Sequence, residues 1–526
     1  MLHKPHLIAK YTLSFIGLTV LVLGVLLFIN PSAIFPDPSW GFQVMRSRQA
    51  GGGFNMLMHP DHNDIAKNTG EFLSWWSPGQ YLVPYFFISI FKINIGQATA
   101  MTITLCQLLG LAGFYSFFKK AGFSPLVNAL SLLIIICQQA FFSPYIFYNG
   151  GESLLFAFLG WFLYGCVSLD KPGWKLVLFV LLSGWIGFIC KSSFIWMYAA
   201  GLLFLWVRLS AGQKNIWGWI IKGLWPGIPA VVSVAVIYVL YLSKGGNPSS
   251  GSYGFELSLQ AIAFPLAAPL LSGFSIDDLA NGLLYHNDVA ILSPTTAYVV
   301  LGFAAVISAG IIYKIWVRIP NQSYKLLLII FYLVSVLFFG SAYLRKLDIS
   351  YESRHFRIVG LLIIPGVLYL LSQLNAAYKA IFAAAILFIT FFSVRFYSLS
   401  YIALKTETAH GPSGIAQQFI DQPSMDYITM LDQHNKNAVF VFLSPDLGLE
   451  VQHNRVITSQ VLNQDISLNF DESVYKGHAG PLYILMPSEY IGIRANVILK
   501  CFPGYKGFSL KELSDDYVLY FATQAR

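Results

Sequence analysis

Charge is what this sequence has least of. Only 11% of its 526 residues are Asp, Glu, Lys or Arg, against roughly 25% in an average soluble domain. With 56% of residues hydrophobic, that shortage excludes a water-soluble enzyme of this length, which needs a charged surface to stay dissolved. Acid is scarcer than base, 25 residues against 33. In a chain this apolar the basic excess points to membrane topology rather than to nucleic acid. Cysteine is scarce as well. Cys106, Cys137, Cys166, Cys190 and Cys501 form no CxxC pair, which excludes a disulfide framework and a cysteine zinc site. No repeat of fixed period is visible, which excludes a solenoid. The first apolar run runs to about Asn30 with no small-residue cleavage site behind it, so an uncleaved first span is expected.

What is present is a series of apolar runs near the ~20 residues that a hydrocarbon core of ~30 Å demands. They lie at 10–30, 98–118, 125–142, 153–169, 175–190, 192–207, 221–243, 292–313, 325–343, 357–373 and 378–396. The fold class expected is an α-helical polytopic membrane protein with about eleven spans and a small extracytoplasmic α/β domain at its C-terminus. Two further runs, 79–93 and 255–274, are short or broken by Pro84, Pro265 and Pro269, and read as interfacial or re-entrant. With the N-terminus inside, the inner loops hold Lys119, Lys120, Lys171, Lys175, Arg208, Lys214, Lys222, Lys314, Arg318, Lys325 and Lys379, the positive-inside pattern. The outer side then holds 31–97, 244–291, 344–356 and the chain after about 400. The membrane domain is assigned to 1–400 and the extracytoplasmic domain to 401–526. In the latter, 437–443, 455–458, 480–486 and 516–522 read as strands, and 411–435 and 487–500 as helices.

Chemistry-bearing residues collect on that outer side. Asp37 follows the first span, where a carboxylate serves as a general base, a metal ligand or simply a turn residue. The same loop carries His59, Asp61, His62, Asp64 and Glu71, either a metal-binding group or a solvated loop, and then Trp75, Trp76 and Tyr81. Glu152 opens an otherwise apolar span. Lys191, Arg345, Lys346, Arg354, His355 and Arg357 break the positive-inside pattern, as phosphate ligands do, or as snorkelling side chains do. Carboxylates, aromatics and cations on one face suit a reaction on a lipid-phosphate donor.

At these residues the sequence resembles the membrane glycosyltransferases of the GT-C fold, including those like protein mannosyltransferases and aminoarabinose transferases. Asp37 stands at their first-loop acid. Ser77-Pro78-Gly79-Gln80-Tyr81-Leu82-Val83-Pro84 resembles their Pro-Pro-Leu-Tyr-like segment, and Asn149-Gly150-Gly151-Glu152-Ser153 their second acidic loop. Cys190-Lys191-Ser192-Ser193-Phe194 resembles a later lysine hairpin, and Ser353-Arg354-His355-Phe356-Arg357-Ile358 a helix start running toward Pro365. Pro38 stands where many members have a second acid, and Glu152 where Asp is usual. The resemblance implies transfer of a sugar from a polyprenyl phosphate to a glycan, lipid or protein acceptor on the extracytoplasmic face of a bacterial inner membrane. It implies an inverting displacement with Asp37 and Glu152 catalytic, and with Lys191, Arg354, His355 and Arg357 on the donor phosphate. Trp75, Trp76, Tyr81, Asp61, Asp64 and Glu71 are expected at the substrates. No cofactor is expected, with a divalent cation left open, and no nucleic-acid partner. The alternatives are a transporter or flippase of lipid-linked sugars, and a non-catalytic scaffold for envelope assembly.

Overall fold

The computed structural model describes residues 3–49, 51–246, 253–276, 285–286, 289–290, 292–442, 444–458 and 474–525; part of the outer loop expected over 244–291 lies outside them. The helices run in the order α1 (His3–Ile29), α2 (Pro36–Gln49), α3 (Gly79–Phe91), α4 (Ile95–Lys120), α5 (Pro125–Ile136), α6 (Gln139–Ile146), α7 (Gly151–Ser168), α8 (Trp174–Cys190) and α9 (Phe194–Ser210). They continue with α10 (Ile216–Leu240), α11 (Leu259–Gly273), α12 (Pro294–Arg318), α13 (Gln322–Leu344), α14 (Arg357–Ser372), α15 (Ala376–Thr406), α16 (Gln422–His434) and α17 (Ile493–Lys500).

Among the described residues eight helices are long and apolar enough to cross a membrane: α1, α4, α7, α10, α12, α13, α14 and α15. The pair α5–α6, bent by 49°, makes a ninth. The other two expected spans, α8 and α9, are helices of 17 residues each, ~25 Å long and so at the short end of spanning length. The two runs set aside are short helices, α3 with Pro84 inside it and α11 with Pro265 and Pro269. The outer wall of the bundle is apolar: Val231, Val306 and Leu387 stand 70%, 72% and 70% exposed. A surface of that kind is stable only against lipid.

The two ends of the bundle differ. Lys119 and Lys120 close α4, Arg208 donates to the Cys166 and Val167 carbonyls, and Lys325 lies over the Trp316 ring at that same end. The opposite end carries α2 and the C-terminal sheet. Neither α2 nor the hairpin of Met56–Pro60 with Asn68–Phe72 is foreshadowed by the periodicity of the loop.

The sheet orders its strands Arg455–Thr458, Val439–Phe442, Leu482–Pro487, Tyr517–Ala522 and Ser509–Glu512, the first three parallel and the rest antiparallel. Alternation along Val439–Phe442 explains how it is covered. Val439 and Val441 pack with Ala495 and Ile498 of α17, whereas Phe440 and Phe442 pack with Met425, Ile428 and Leu431 of α16. Two expected helices are shorter than read. Residues 411–421 make turns around a two-stranded pair, Ala409–His410 with Ala416–Gln417, with Gly414 at φ +73°. The helix starts only where the Asp421 side chain accepts from Ser424 N–H. Likewise 487–500 resolves into a 3-10 turn, Ser488–Tyr490, followed by α17.

The sheet domain grips α2. Gln43 donates to the Pro445 carbonyl at 2.7 Å and Arg46 to the Val451 carbonyl at 2.6 Å and to Asn454 O. Burial lowers the Arg46 guanidinium to about 10, against the opposing pull of Asp432. Nearby, Glu450 is sealed in. Ser413 N–H at 3.0 Å, the Ser413 hydroxyl and Gln417 Nε2 at 2.7 Å all donate to it. Burial nevertheless raises its carboxyl to about 7, and that of Asp446 to about 6.

A carboxyl whose pKa is raised by folding contributes stability below its ordinary range and loses it as pH climbs through the folded value. The melting temperature of the full chain is therefore expected to fall as pH rises from 5 to 8. Glu450→Gln should flatten that slope, and an unchanged slope in the variant would assign it elsewhere.

Candidate active site

Sequence places Gly150 and Gly151 directly before Glu152, and the geometry requires both. Gly150 has φ +76°, and a Cβ there would strike the Gln80 side chain and lie 3.3 Å from Pro38. A Cβ on Gly151 would sit 2.5 Å from the Cys190 carbonyl and 3.0 Å from Lys191 Cβ. The absence of side chains lets the α8–α9 hairpin and the start of α2 close on the start of α7. A parallel strap of Ala33–Ile34 with Phe147–Tyr148, and the Tyr148 hydroxyl donating to the Gln80 carbonyl at 2.8 Å, hold these pieces in register.

The carboxylate brought into this junction has two cations on one oxygen. Lys191 Nζ pairs with Glu152 Oε1, and Arg354 Nη1 lies 3.6 Å from the same atom. Arg354 also pairs with Glu352. Asp37, in the first turn of α2, faces the positive field of Arg354. Burial raises its carboxyl above the ordinary value and Arg354 pulls it back only partly. Glu152 is thus committed to holding cations, while Asp37 is exposed and carries a carboxyl raised above its ordinary value.

Below this junction a cavity of about 250 Å³ runs between α4, α6, α7, α9 and α14. Glu152, Arg354 and Arg357 line it, together with Phe141, Phe156, Leu159, Met197 and Leu361.

The remaining expected site residues lie apart from the cavity lining. His355 stacks on Phe339, centroids 5.3 Å apart. Tyr81 is buried against Gly41, and Trp75 packs edge-on to Trp40 and beside Trp76. These aromatics support α2 from beneath. Asp61 accepts from the N–H groups of Asn63 and Asp64, and Asp64 from that of Ala66 while pairing with Lys67 at 3.0 Å. Glu71 is exposed on the hairpin. This loop docks on the sheet domain: His62 stacks on Tyr475, and Arg455 donates to the Ala66 carbonyl at 2.6 Å. Among the described residues no three His, Cys, Asp or Glu side chains come together so as to hold a metal ion. The sequence reading passed over Gln107 and Gln138, which line the cavity, because amides inside apolar runs carry no charge to draw attention.

No family model matches the sequence, and no curated protein matches it. Solved structures do. The structure of ArnT from Cupriavidus metallidurans bound to undecaprenyl phosphate superposes with a TM-score of 0.52 at 12% identity, covering 97% of each chain. The chain has the GT-C fold. The apo state of the same ArnT gives a TM-score of 0.50 at 13% identity over 97% of this chain and 98% of that one. The arabinofuranosyltransferase AftD from Mycobacteria gives 0.50 at 13% identity, with 97% of this chain covering 41% of that one. The GT-C match to ArnT is end to end, so it includes the sheet domain as well as the spans. The chain is accordingly a multi-pass membrane protein.

If the glycines set the ion pair, Gly151→Val should push Lys191 away from Glu152. Lys191→Met should then cost markedly less stability in the Gly151→Val background than alone, a coupling of about 0.5–3 kcal/mol in a double-mutant cycle. Additive effects would separate the glycine from the pair.

Proposed function

We propose that this protein is a glycosyltransferase that moves a sugar from a polyprenyl-phosphate donor to an acceptor hydroxyl at the α2 end of the bundle. The observation that carries the reading is the sharing of Glu152 between Lys191 and Arg354 at the mouth of an apolar-walled cavity. A GT-C neighbour of this chain is described with undecaprenyl phosphate bound, a ligand whose phosphate the cations at the cavity mouth would suit. The cations gathered at the far end, Lys119, Lys120, Arg208 and Lys325, support an extracytoplasmic position for the α2 end.

In the reaction Asp37 removes the proton of the acceptor hydroxyl as its oxygen attacks the anomeric carbon from the face opposite the phosphate. The bond from that carbon to the phosphate oxygen breaks, the configuration inverts, and polyprenyl phosphate leaves with the electron pair. Lys191 and Arg354, with Arg357 at the cavity wall, stabilise the charge that grows on the phosphate. Glu152 orients the two cations before the donor arrives. The raised carboxyl of Asp37 makes it a better base than an aspartate at the ordinary value and makes it protonate sooner as pH falls.

Asp37→Asn should lower transfer at least about a hundredfold with donor binding near normal. In the wild type, the acid limb of the pH–rate profile should lie above the ordinary carboxylate value. Wild-type turnover in Asp37→Asn would remove the base from this residue.

Arg354→Ala should weaken binding of polyprenyl phosphate, with melting temperature measured alongside because Glu152 and Glu352 lose a partner. Undiminished lipid binding in a folded variant would assign Arg354 to the membrane surface alone.

A further inference from the structure

The cavity holds a buried polar atom with no partner. Gln107 is 3% exposed, it lines the cavity, and its side-chain oxygen makes no hydrogen bond. Leaving such an acceptor dry and unpaired is costly, and inside a membrane bundle it marks a place where a donor group is expected to come. Its level is set by packing. Gly110, one turn along α4, lies against Phe156, one turn along α7 from Glu152, so Gln107 is level with the first turn of α7 and hence with the ion pair. Around the same space stand Ser143, Asn149 and Ser153, with Gln138 already tied to the Gly273 carbonyl at 2.7 Å. All are neutral.

Among the described residues the lining contains one carboxylate, Glu152, and that one is shared by Lys191 and Arg354. An ammonium group on a sugar ring inside the cavity would meet only this carboxylate, already held by two cations, with Asp37 outside the lining. A carboxylate on the ring would compete for the same cations as the donor phosphate. The volume, about 250 Å³, equals roughly eight waters at ~30 Å³ each, the scale of one sugar ring.

We propose that this cavity receives the donor sugar, that the sugar is uncharged, and that Gln107 reads one of its ring hydroxyls by accepting a hydrogen bond. The inference rests on the glycosyltransferase reading and narrows it to a substrate class. A site built to pair with a hydroxyl discriminates strongly against a ligand that leaves its polar group unmatched.

The test uses the full chain in nanodiscs and measures competition against labelled polyprenyl phosphate. Competitors are the bare lipid phosphate and the same lipid phosphate carrying a neutral hexose, a neutral pentose, an amino sugar or a uronic acid. A neutral-sugar donor should bind more tightly than either charged one. Gln107→Leu should weaken that donor about fivefold, the worth of one hydrogen bond, and leave the bare lipid phosphate unchanged. Gln107→Glu should shift preference toward the amino-sugar donor. Should Gln107→Leu fail to fold, Gln107→Met makes the same comparison with a side chain of similar length. Preference for a charged sugar, or equal loss for bare and sugar-bearing lipids in the Gln107 variants, overturns the proposal while leaving the transferase reading in place. Failure of the wild type to bind any polyprenyl phosphate overturns that reading and takes this one with it.

Discussion

Partial burial at the end of a membrane bundle makes an unpaired charge costly, and this molecule brings two cations and a carboxylate together at one oxygen atom of Glu152. The contact has demands that reach through the fold. Lys191 comes from a hairpin between two short helices, Arg354 from the turn before α14, and Glu152 from the first turn of α7. The three meet only because Gly151 leaves no side chain where the hairpin passes, and Gly150 none where Gln80 and Pro38 close in. The length of α8 and α9 follows from the same need: a 17-residue helix turns back at the depth where Lys191 reaches Glu152.

The sheet domain is tied to this arrangement through α2. That helix has Asp37 in its first turn, and Gln43 and Arg46 further along donate to backbone carbonyls of the sheet domain. The bonds from Arg46 are charge-assisted, of a kind that contributes about 1.5–3 kcal/mol each, and the neutral one from Gln43 about 0.5–1.5 kcal/mol. They fix the rotation of α2 about its axis, and so the direction in which Asp37 points. The hairpin loop that holds Asp61 and Asp64 serves the same docking through His62 and Ala66. The acids that look like metal ligands in sequence are spent on turning the chain and on Lys67.

How much of this was legible follows from the range of each interaction. The apolar segments were plain, since a span is a local property of about twenty residues. The four sheet strands read from alternation also need only local pattern. By contrast α2 is a polar helix held by residues some four hundred positions away, and no window on the sequence contains that information. The segment 411–421 was misread as helix because its composition permits one, whereas Gly414 in the left-handed region and the short strand pair forbid it. At the site, Lys191 and Arg354 stood out by breaking the positive-inside pattern, and Asp37 by following the first span. That Glu152 binds both cations was invisible, because it depends on three separate turns meeting. Gln107 was invisible for a different reason: one amide in a run of apolar residues changes the hydropathy little, and its significance lies in having no partner.

The balance of charge at the mouth bears on the direction of the proposed transfer. At the mouth Lys191 and Arg354 meet the carboxylates of Glu152 and Glu352, and Asp37 lies in the field of Arg354. A donor phosphodiester carries a single negative charge. As the sugar leaves, the phosphate becomes a monoester and its charge grows toward about −1.5 to −2. A cluster preset for the donor therefore binds the departing phosphate more strongly than the phosphate of the intact donor, and only interactions that strengthen toward the transition state raise the rate. Glu152 makes that possible at rest, because without its carboxylate Lys191 and Arg354 would repel one another at the membrane surface and turn toward solvent. With it they stay poised, and the anion that displaces or joins the carboxylate meets donors already aimed. Holding cations and activating a hydroxyl make opposite demands on a carboxyl group: a close counter-ion for the first, a raised pKa for the second. In the proposed reaction Glu152 meets the first demand and Asp37 the second.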